Sequence, residues 1–167
     1  MAEDLTGYKY KGQDFLTLVE VEDELGEKSL KRFYDQTGGG TTIENDELDI
    51  STKDRKGSDY GDKTETRSLE GELVYGDDAV DYVKKAARNQ KYIKIYDVDM
   101  KTKKSEYGMY MISSFEREYS HGEFATYSLE VTLYGDVCEE ELTEIPDGAP
   151  NLPGMDCDGE DEPPVSG

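Results

Sequence analysis

With 40 acidic against 19 basic side chains in 167 residues, a formal net charge of −21, the chain repels polyanions rather than gripping them. One histidine, two cysteines and no apolar run near the roughly 20 residues that span a bilayer argue against nucleophilic, metal-based and membrane-spanning roles. Residues 136–167 hold 11 of the acidic residues, none of the basic ones, all five prolines and no aromatic ring, so a body, still at −10, is followed by a tail. All 13 tyrosines and four phenylalanines lie in that body, enough to build a core and to argue against disorder there.

In chain order, weak strands are expected at residues 15–21 and 30–35. Between residues 35 and 64 the pattern stops. Glycine and charge dominate, with only Ile43, Leu48, Ile50 and Tyr60 as anchors, which predicts a long surface loop. The three anchors Ile43, Leu48 and Ile50 alternate with polar residues as in a strand, one that could pair only with a neighbouring sheet edge. Residues 66–75 alternate, with Leu69, Gly71, Leu73 and Tyr75 opposite Ser68, Glu70 and Glu72, which predicts a half-buried strand. A helix over residues 77–89 follows: Ala79, Val80, Val83, Ala86 and Ala87 recur at helical spacing, acids crowd the first turn and bases the last.

Residues 91–98 are rich in β-branched and aromatic side chains, and a turn over residues 99–104 leads to a strand at 107–119. Tyr107, Met109, Met111 and Phe115 are expected to share one of its faces. A turn at residues 120–123 leads to a strand at 124–134, where Ala125, Tyr127, Leu129, Val131 and Leu133 alternate with polar residues. The expectation is a mainly β fold with one α-helix packed on an antiparallel sheet, sandwich-like or barrel-like.

Motifs that would carry chemistry fail on inspection. His121, the single candidate base for a Ser-His-Asp or Cys-His arrangement, lies beside Gly122 in an expected turn, a poor setting for one. Gly38-Gly39-Gly40 lacks the lysine and helix start of a phosphate loop. Asp97-Val-Asp99 opens like a calcium loop, but Lys101 and Thr102 replace its oxygen ligand and turning glycine, and Gly108 stands where the bidentate acid belongs. The pairs Glu70/Glu72 and Glu116/Glu118 fit a solvated strand face better than acid–base catalysis. Lys101, Lys103 and Lys104 make too short a cluster for nucleic-acid binding on so acidic a chain. No catalytic residue, metal or cofactor is expected. Cys138 and Cys157 are expected as free thiols, and the acidic start Met1-Ala-Glu-Asp, unlike a signal peptide, points to synthesis in the cytoplasm.

The ordered set of residues 69–98, the strand at 107–118, Tyr119-Ser-His-Gly122 and residues 124–135 resembles the major tail protein of long, non-contractile bacteriophage tails. The resemblance implies a tail tube fold. Its copies would assemble as hexameric rings stacked into a hollow cylinder through which DNA passes without specific binding. It divides the chain into a tube domain at 1–137, a C-terminal arm at 138–153 and a flexible acidic tail at 154–167. The loop and arm would reach neighbouring copies or rings, with Ile43, Leu48, Ile50, Leu142 and Ile145 as contact candidates. Tape measure, distal tail and tail terminator proteins are the further partners, and the virion tail, built in the host cytoplasm, is the location. If Leu69, Leu73, Leu129 and Val131 face the core, then Glu70, Glu72, Glu123 and Glu130 face away from it and are candidates to line an acidic lumen. Two alternatives remain open from the residues alone: an acidic β-sandwich binding module that does not polymerise, and a hydrolase using paired carboxylates.

Overall fold

The computed structural model describes residues 4–147. After a single 3-10 turn at Gly12–Asp14 the chain forms β1 (Phe15–Glu22), β2 (Lys28–Arg32), β3 (Gln36–Ser51), β4 (Lys56–Glu72), helix α1 (Asp78–Arg88), β5 (Ile93–Asp99), β6 (Lys104–Glu118) and β7 (Thr126–Glu141). The strands make one seven-stranded sheet in the order β2-β1-β5-β6-β7-β4-β3, antiparallel at every pairing. This is the mainly β, one-helix architecture that the alternation predicts. Among the described residues no helix is long and apolar enough to cross a membrane.

The helix forms where its charges and cap favour it. Asp77 is the N-cap, accepting from the Val80 amide at 3.4 Å, while its other oxygen accepts from the Tyr34 amide at 3.0 Å and ties the helix to the β2–β3 connection. Ala79, Val80, Val83 and Ala86 are buried against Val19, Ile93, Ile95, Leu129 and Val131. Each such valine contributes about 1.5–3 kcal/mol relative to exposure.

The sheet curls around this core, and three contacts hold the curl. Phe33 stacks on Tyr127 with ring centroids 6.3 Å apart, and the Tyr127 hydroxyl donates to the Tyr34 carbonyl at 3.3 Å; burial pushes that phenol's pKa well up. Gln36 acts as a substitute strand. β2 ends at Arg32, opposite Leu18, so Thr17 has lost its neighbour on that side; the Gln36 amide accepts from Thr17 N at 3.0 Å and donates to Thr17 O at 2.8 Å. Arg67 spans from β4 to β5 and β6, as described below.

On the opposite face, Leu16, Leu18, Tyr96 and Val98 form a second cluster covered by Leu142, with Leu30 and Ile145 packed against it. Both faces of β1 and β5 are therefore buried.

Four expectations are corrected. Residues 35–64 are not a loop: β3 and β4 form a hairpin from Gln36↔Gly71 to Ser51↔Lys56, so the strand carrying Ile43, Leu48 and Ile50 pairs within its own chain. The residues are polar on both faces because both faces are exposed, which removes the alternation by which a strand is recognised. The boundary at residue 137 falls inside β7, which continues to Glu141 alongside the start of β6. Of Tyr107, Met109, Met111 and Phe115, the first three share a face and Phe115 does not: Tyr107 pairs with Tyr96 and Met109 with Lys94 on the side away from the buried Tyr110, whereas an irregularity between Ile112 and Ser114 brings Phe115 onto the core side. Tyr75 lies past the end of β4 and is fully exposed. The arm beyond Asp147, Cys157 and the segment 154–167 lie outside the described residues.

Candidate functional site

The face of β4, β7 and β6 turned away from the helix is built in register. Ser68 pairs with Glu130 and Glu130 with Ser114; Glu70 pairs with Ser128 and Ser128 with Glu116; Glu72 pairs with Thr126 and Thr126 with Glu118. Side chains of one cross-strand row point to the same face, and residues two apart do likewise. Five glutamates, Glu70, Glu72, Glu116, Glu118 and Glu130, therefore stand on one surface, with hydroxyl side chains set between them. Leu69, Tyr127, Leu129 and Val131 occupy the reverse side and are buried.

Spacing makes this concentration of charge tolerable. Glu70 and Glu116 are separated by the Ser128 strand, roughly 10 Å, about one Debye length at 0.1 M salt. None of the five glutamates is in an ion pair among the described residues. The one β4 arginine near them is committed to the other face. Arg67 is buried, its Nε donating to the Tyr110 hydroxyl at 2.7 Å and its two terminal nitrogens lying 2.7 Å from Asp97 and 3.2 Å from Glu106. Burial pushes the Asp97 carboxyl above the ordinary range, against the pull of Arg67. Beside it Glu65 is also buried, and its Oε2 has no hydrogen-bond partner.

Glu70, Glu72 and Glu130 thus lie where alternation places them, on the face opposite the core. Glu123 does not. It belongs to the β6–β7 turn, its amide donating to Ser120 O at 3.1 Å next to Gly122 at φ 86°, so it stands at the rim of the face rather than on a strand. Glu116 and Glu118, uninformative as a sequence pair, join the face because the irregularity in β6 sets their phase. Arg67 was missed altogether; nothing in the local pattern distinguishes a buried strand arginine from an exposed one.

The apolar contact candidates divide into two groups. Ile43, Leu48 and Ile50 are 58%, 57% and 37% exposed on the hairpin, as is Tyr60 at 78%. Leu142 is buried and Ile145 half-buried against the chain's own β1 and β2 region. The hairpin leaves the body at Thr66, the last β4 residue paired with β7, and from there to its tip it is paired only with itself.

Catalytic geometry is not assembled among the described residues. His121 is in the exposed β6–β7 turn. Asp99 organises its own turn, accepting from the Lys101 amide at 2.9 Å and the Tyr10 hydroxyl at 2.6 Å. No group of three His, Cys, Asp or Glu side chains is placed to hold a metal ion. A cleft of about 610 Å³ near Tyr10 and Phe15 is walled by carboxylates and carries no nucleophile paired with a base.

Comparison with known proteins gives this geometry a context. The chain is similar to the SPP1 tail tube, at TM-score 0.66 and 17% identity over 81% of each chain. It is similar to the tail of an empty gene transfer agent particle solved with C6 symmetry, at TM-score 0.64 and 15% identity, covering 78% of this chain and 98% of that one. A chain of the sheath–tube complex of an extracellular contractile injection system, in its extended state, is similar at TM-score 0.56 and 13% identity over 81% of this chain and 94% of that one. At such identities the likeness establishes the fold. No curated protein matches in sequence. The family model for phage tail tube proteins matches residues 9–139. That match spans the sheet, the helix and the hairpin, and it identifies the chain as a member of the phage tail tube protein family, a structural component of a virion tail and not an enzyme.

Proposed function

We propose that the chain polymerises as hexameric rings stacked into the tail tube, and that the face of β4, β7 and β6 carrying Glu70, Glu72, Glu116, Glu118 and Glu130 is the wall of its channel. The observation that carries this reading is the five-carboxylate face itself, free of basic side chains because Arg67 is drawn into the core. Six-fold symmetry is supported by the C6 tail of the similar gene transfer agent particle.

A channel for DNA must not hold it. Each lysine or arginine meeting a phosphate adds an attraction whose log–log salt slope is about 0.9, whereas a like-charged, hydrated wall leaves the duplex free to move. Ile43, Leu48 and Ile50 on the hairpin are the contacts available to neighbouring copies; Leu142 and Ile145 are used within the chain. Assembly in the host cytoplasm around a tape measure protein, with distal tail and terminator proteins at the two ends, completes the proposed setting.

The test is assembly. Purified protein at high concentration should form tubes by electron microscopy that do not retain duplex DNA; a Glu70→Lys/Glu130→Lys variant should still form tubes but bind duplex DNA with a steep salt dependence. Monodisperse particles at every concentration would favour the non-polymerising binding module. Wild-type tubes that bind DNA as tightly as the lysine variant would end the acidic-wall idea.

A further inference from the structure

Three basic side chains gather on the helix side of the sheet. α1 packs over β1, β2 and β6, and a groove of about 490 Å³ runs between its last turns and β6. Lys84 and Arg88 wall it from the helix and Arg117 from β6, over half-buried Ile112 and Phe115 and beside exposed Tyr119. Lys84 lies 3.7 Å from Asp81, but Arg88 and Arg117 are in no ion pair among the described residues. The irregularity that turns Glu116 and Glu118 to the opposite face leaves Phe115 paired with Leu129 and Arg117 with Tyr127, on the helix side. The groove is therefore positive on a chain of −21.

The complementary chemistry is in the chain itself. No basic residue follows Arg117, and residues 154–167 carry Asp156, Asp158, Glu160, Asp161 and Glu162, with Met155 before them and Pro163, Pro164 and Val165 after. The last described residues, up to Asp147, line a cleft with Leu30 of β2, the edge strand three spacings, roughly 15 Å, from β6. From Gly148 the chain reaches up to about 30 Å by Asp156 and about 66 Å by Gly167, enough to round the β2 edge and cross to the helix side. A free polyanion approaches these cations against a body at −10 and loses its own translational freedom, whereas a tethered segment is held at an effective concentration on the order of millimolar.

We infer that residues 154–167 dock on the groove between α1 and β6 of their own copy, the carboxylates on Lys84, Arg88 and Arg117 and the flanking apolar residues on Phe115 and Tyr119. A guanidinium takes a carboxylate through two parallel hydrogen bonds, which favours Arg88 and Arg117 as the anchors. Exposed ion pairs are individually weak and screened by salt, so the docking depends on several acting together on a tethered segment. The docked tail shields the groove from other anions and from the acidic face of a second copy, whether or not copies polymerise.

Cys157 offers the probe. With a nitroxide on Cys157 of the full-length free subunit, exposed Cys138 being replaced by Cys138→Ser, the amide signals at positions 87, 88, 117 and 119 should be lost selectively at low salt while those of the hairpin tip persist. They should return at about 1 M salt, where the Debye length falls to about 3 Å. Arg88→Glu/Arg117→Glu, both exposed, should keep the circular dichroism spectrum and abolish the loss; adding Asp156→Lys, Asp158→Lys and Glu160→Lys should bring it back. Mixing nitroxide-bearing chains with isotope-labelled chains that lack the nitroxide should produce no loss. Unchanged or uniformly broadened signals, a loss that survives high salt or the arginine variant, or failure of the charge-swapped chain to recover overturns the inference. A loss confined to the mixed sample gives the groove to the tail of a second copy and overturns docking within one copy. The tube reading is untouched by any of these results, since it stands or falls on tube formation.

Discussion

From Glu65 to Glu72, β4 is paired on both sides for most of its length and alternates buried with exposed side chains; from Lys56 to Thr64 the same strand pairs only with β3 and buries almost nothing. In the first half Arg67 and Leu69 reach into a core with the helix behind it. In the second half the ladder hydrogen bonds stand nearly alone, each worth about 0.5–1.5 kcal/mol net and each set against a backbone ordering cost of about 1–2 kcal/mol per residue. One continuous strand is thus stabilised by its own chain at one end and stays marginal at the other until something covers it. Under the proposed function that difference has a use: the body folds by itself and the order of the arm is completed by a second copy.

The largest expected effect comes from breaking the body where its charge network meets its core. Tyr110 is fully buried and its hydroxyl accepts from Arg67 Nε. Tyr110→Ala should destabilise the subunit by about 4 kcal/mol or more in urea unfolding, through the cavity and the unpaired guanidinium together. Arg67→Met should cost about 2–3 kcal/mol, because Asp97 would keep its partly buried charge without a partner. Were both variants as stable as wild type, Arg67 would not be what fastens β4 to β5 and β6.

A smaller effect is expected at the helix cap, and its sign follows from linkage. Burial raises the Asp77 pKa, opposed by the amides of Tyr34, Val80 and Ala79. In the window between the ordinary carboxylate value and this raised one, the folded state holds a proton that the unfolded state has released. Stability supplied by Asp77 therefore falls as pH rises through that window and is level above it. Asp77→Asn keeps a good N-cap, so stability at neutral pH should change by no more than about 1 kcal/mol while the wild-type-minus-variant difference loses this slope. The comparison must be a difference between the two proteins, since Asp14 and Asp99, held down by hydrogen bonds, contribute slopes of opposite sign. Identical pH profiles would show that Asp77 is ionised alike in both states.

How legible each region was follows from the same contrast. The helix was predicted at 77–89 and spans Asp78–Arg88 with Asp77 and Asn89 as caps, because its apolar spacing and end charges are local signals. The β7 alternation survives intact from Tyr127 to Val131 since no irregularity interrupts it. In β6 the period was misleading: the irregularity near Ser113 changes the phase, so Met109 and Phe115, six residues apart and in step by sequence, face opposite ways. Glu70, Glu72 and Glu130 could be placed by alternation, whereas Glu123 could not, a turn residue having no strand phase. The roles of Gln36 and Arg67 depend on partners distant in sequence, and no local pattern reports them. The hairpin was hidden because a strand exposed on both faces has no binary pattern.

The smallest effect on folding, and the sharpest on the comparison, is expected in the hairpin. Ile43→Ser and Leu48→Ser remove apolar groups that are more than half exposed, so the unfolding free energy of the isolated subunit should move by less than about 0.5 kcal/mol. Period-two geometry puts Leu48 and Ile50 on one face and Ile43 on the other, so the two substitutions probe different sides of the ribbon. Under the proposed function either should weaken tube formation well beyond its effect on the fold. Amide exchange gives the same answer without mutation: residues 44–60 should exchange orders of magnitude faster than β5 and β7 in the free subunit and become protected in tubes, because covering both faces removes the open states through which the ribbon exchanges. Protection equal to that of the core in the free subunit would mean that the hairpin is already stable alone, and exposed apolar side chains at Ile43, Leu48 and Tyr60 would then need a reason other than assembly.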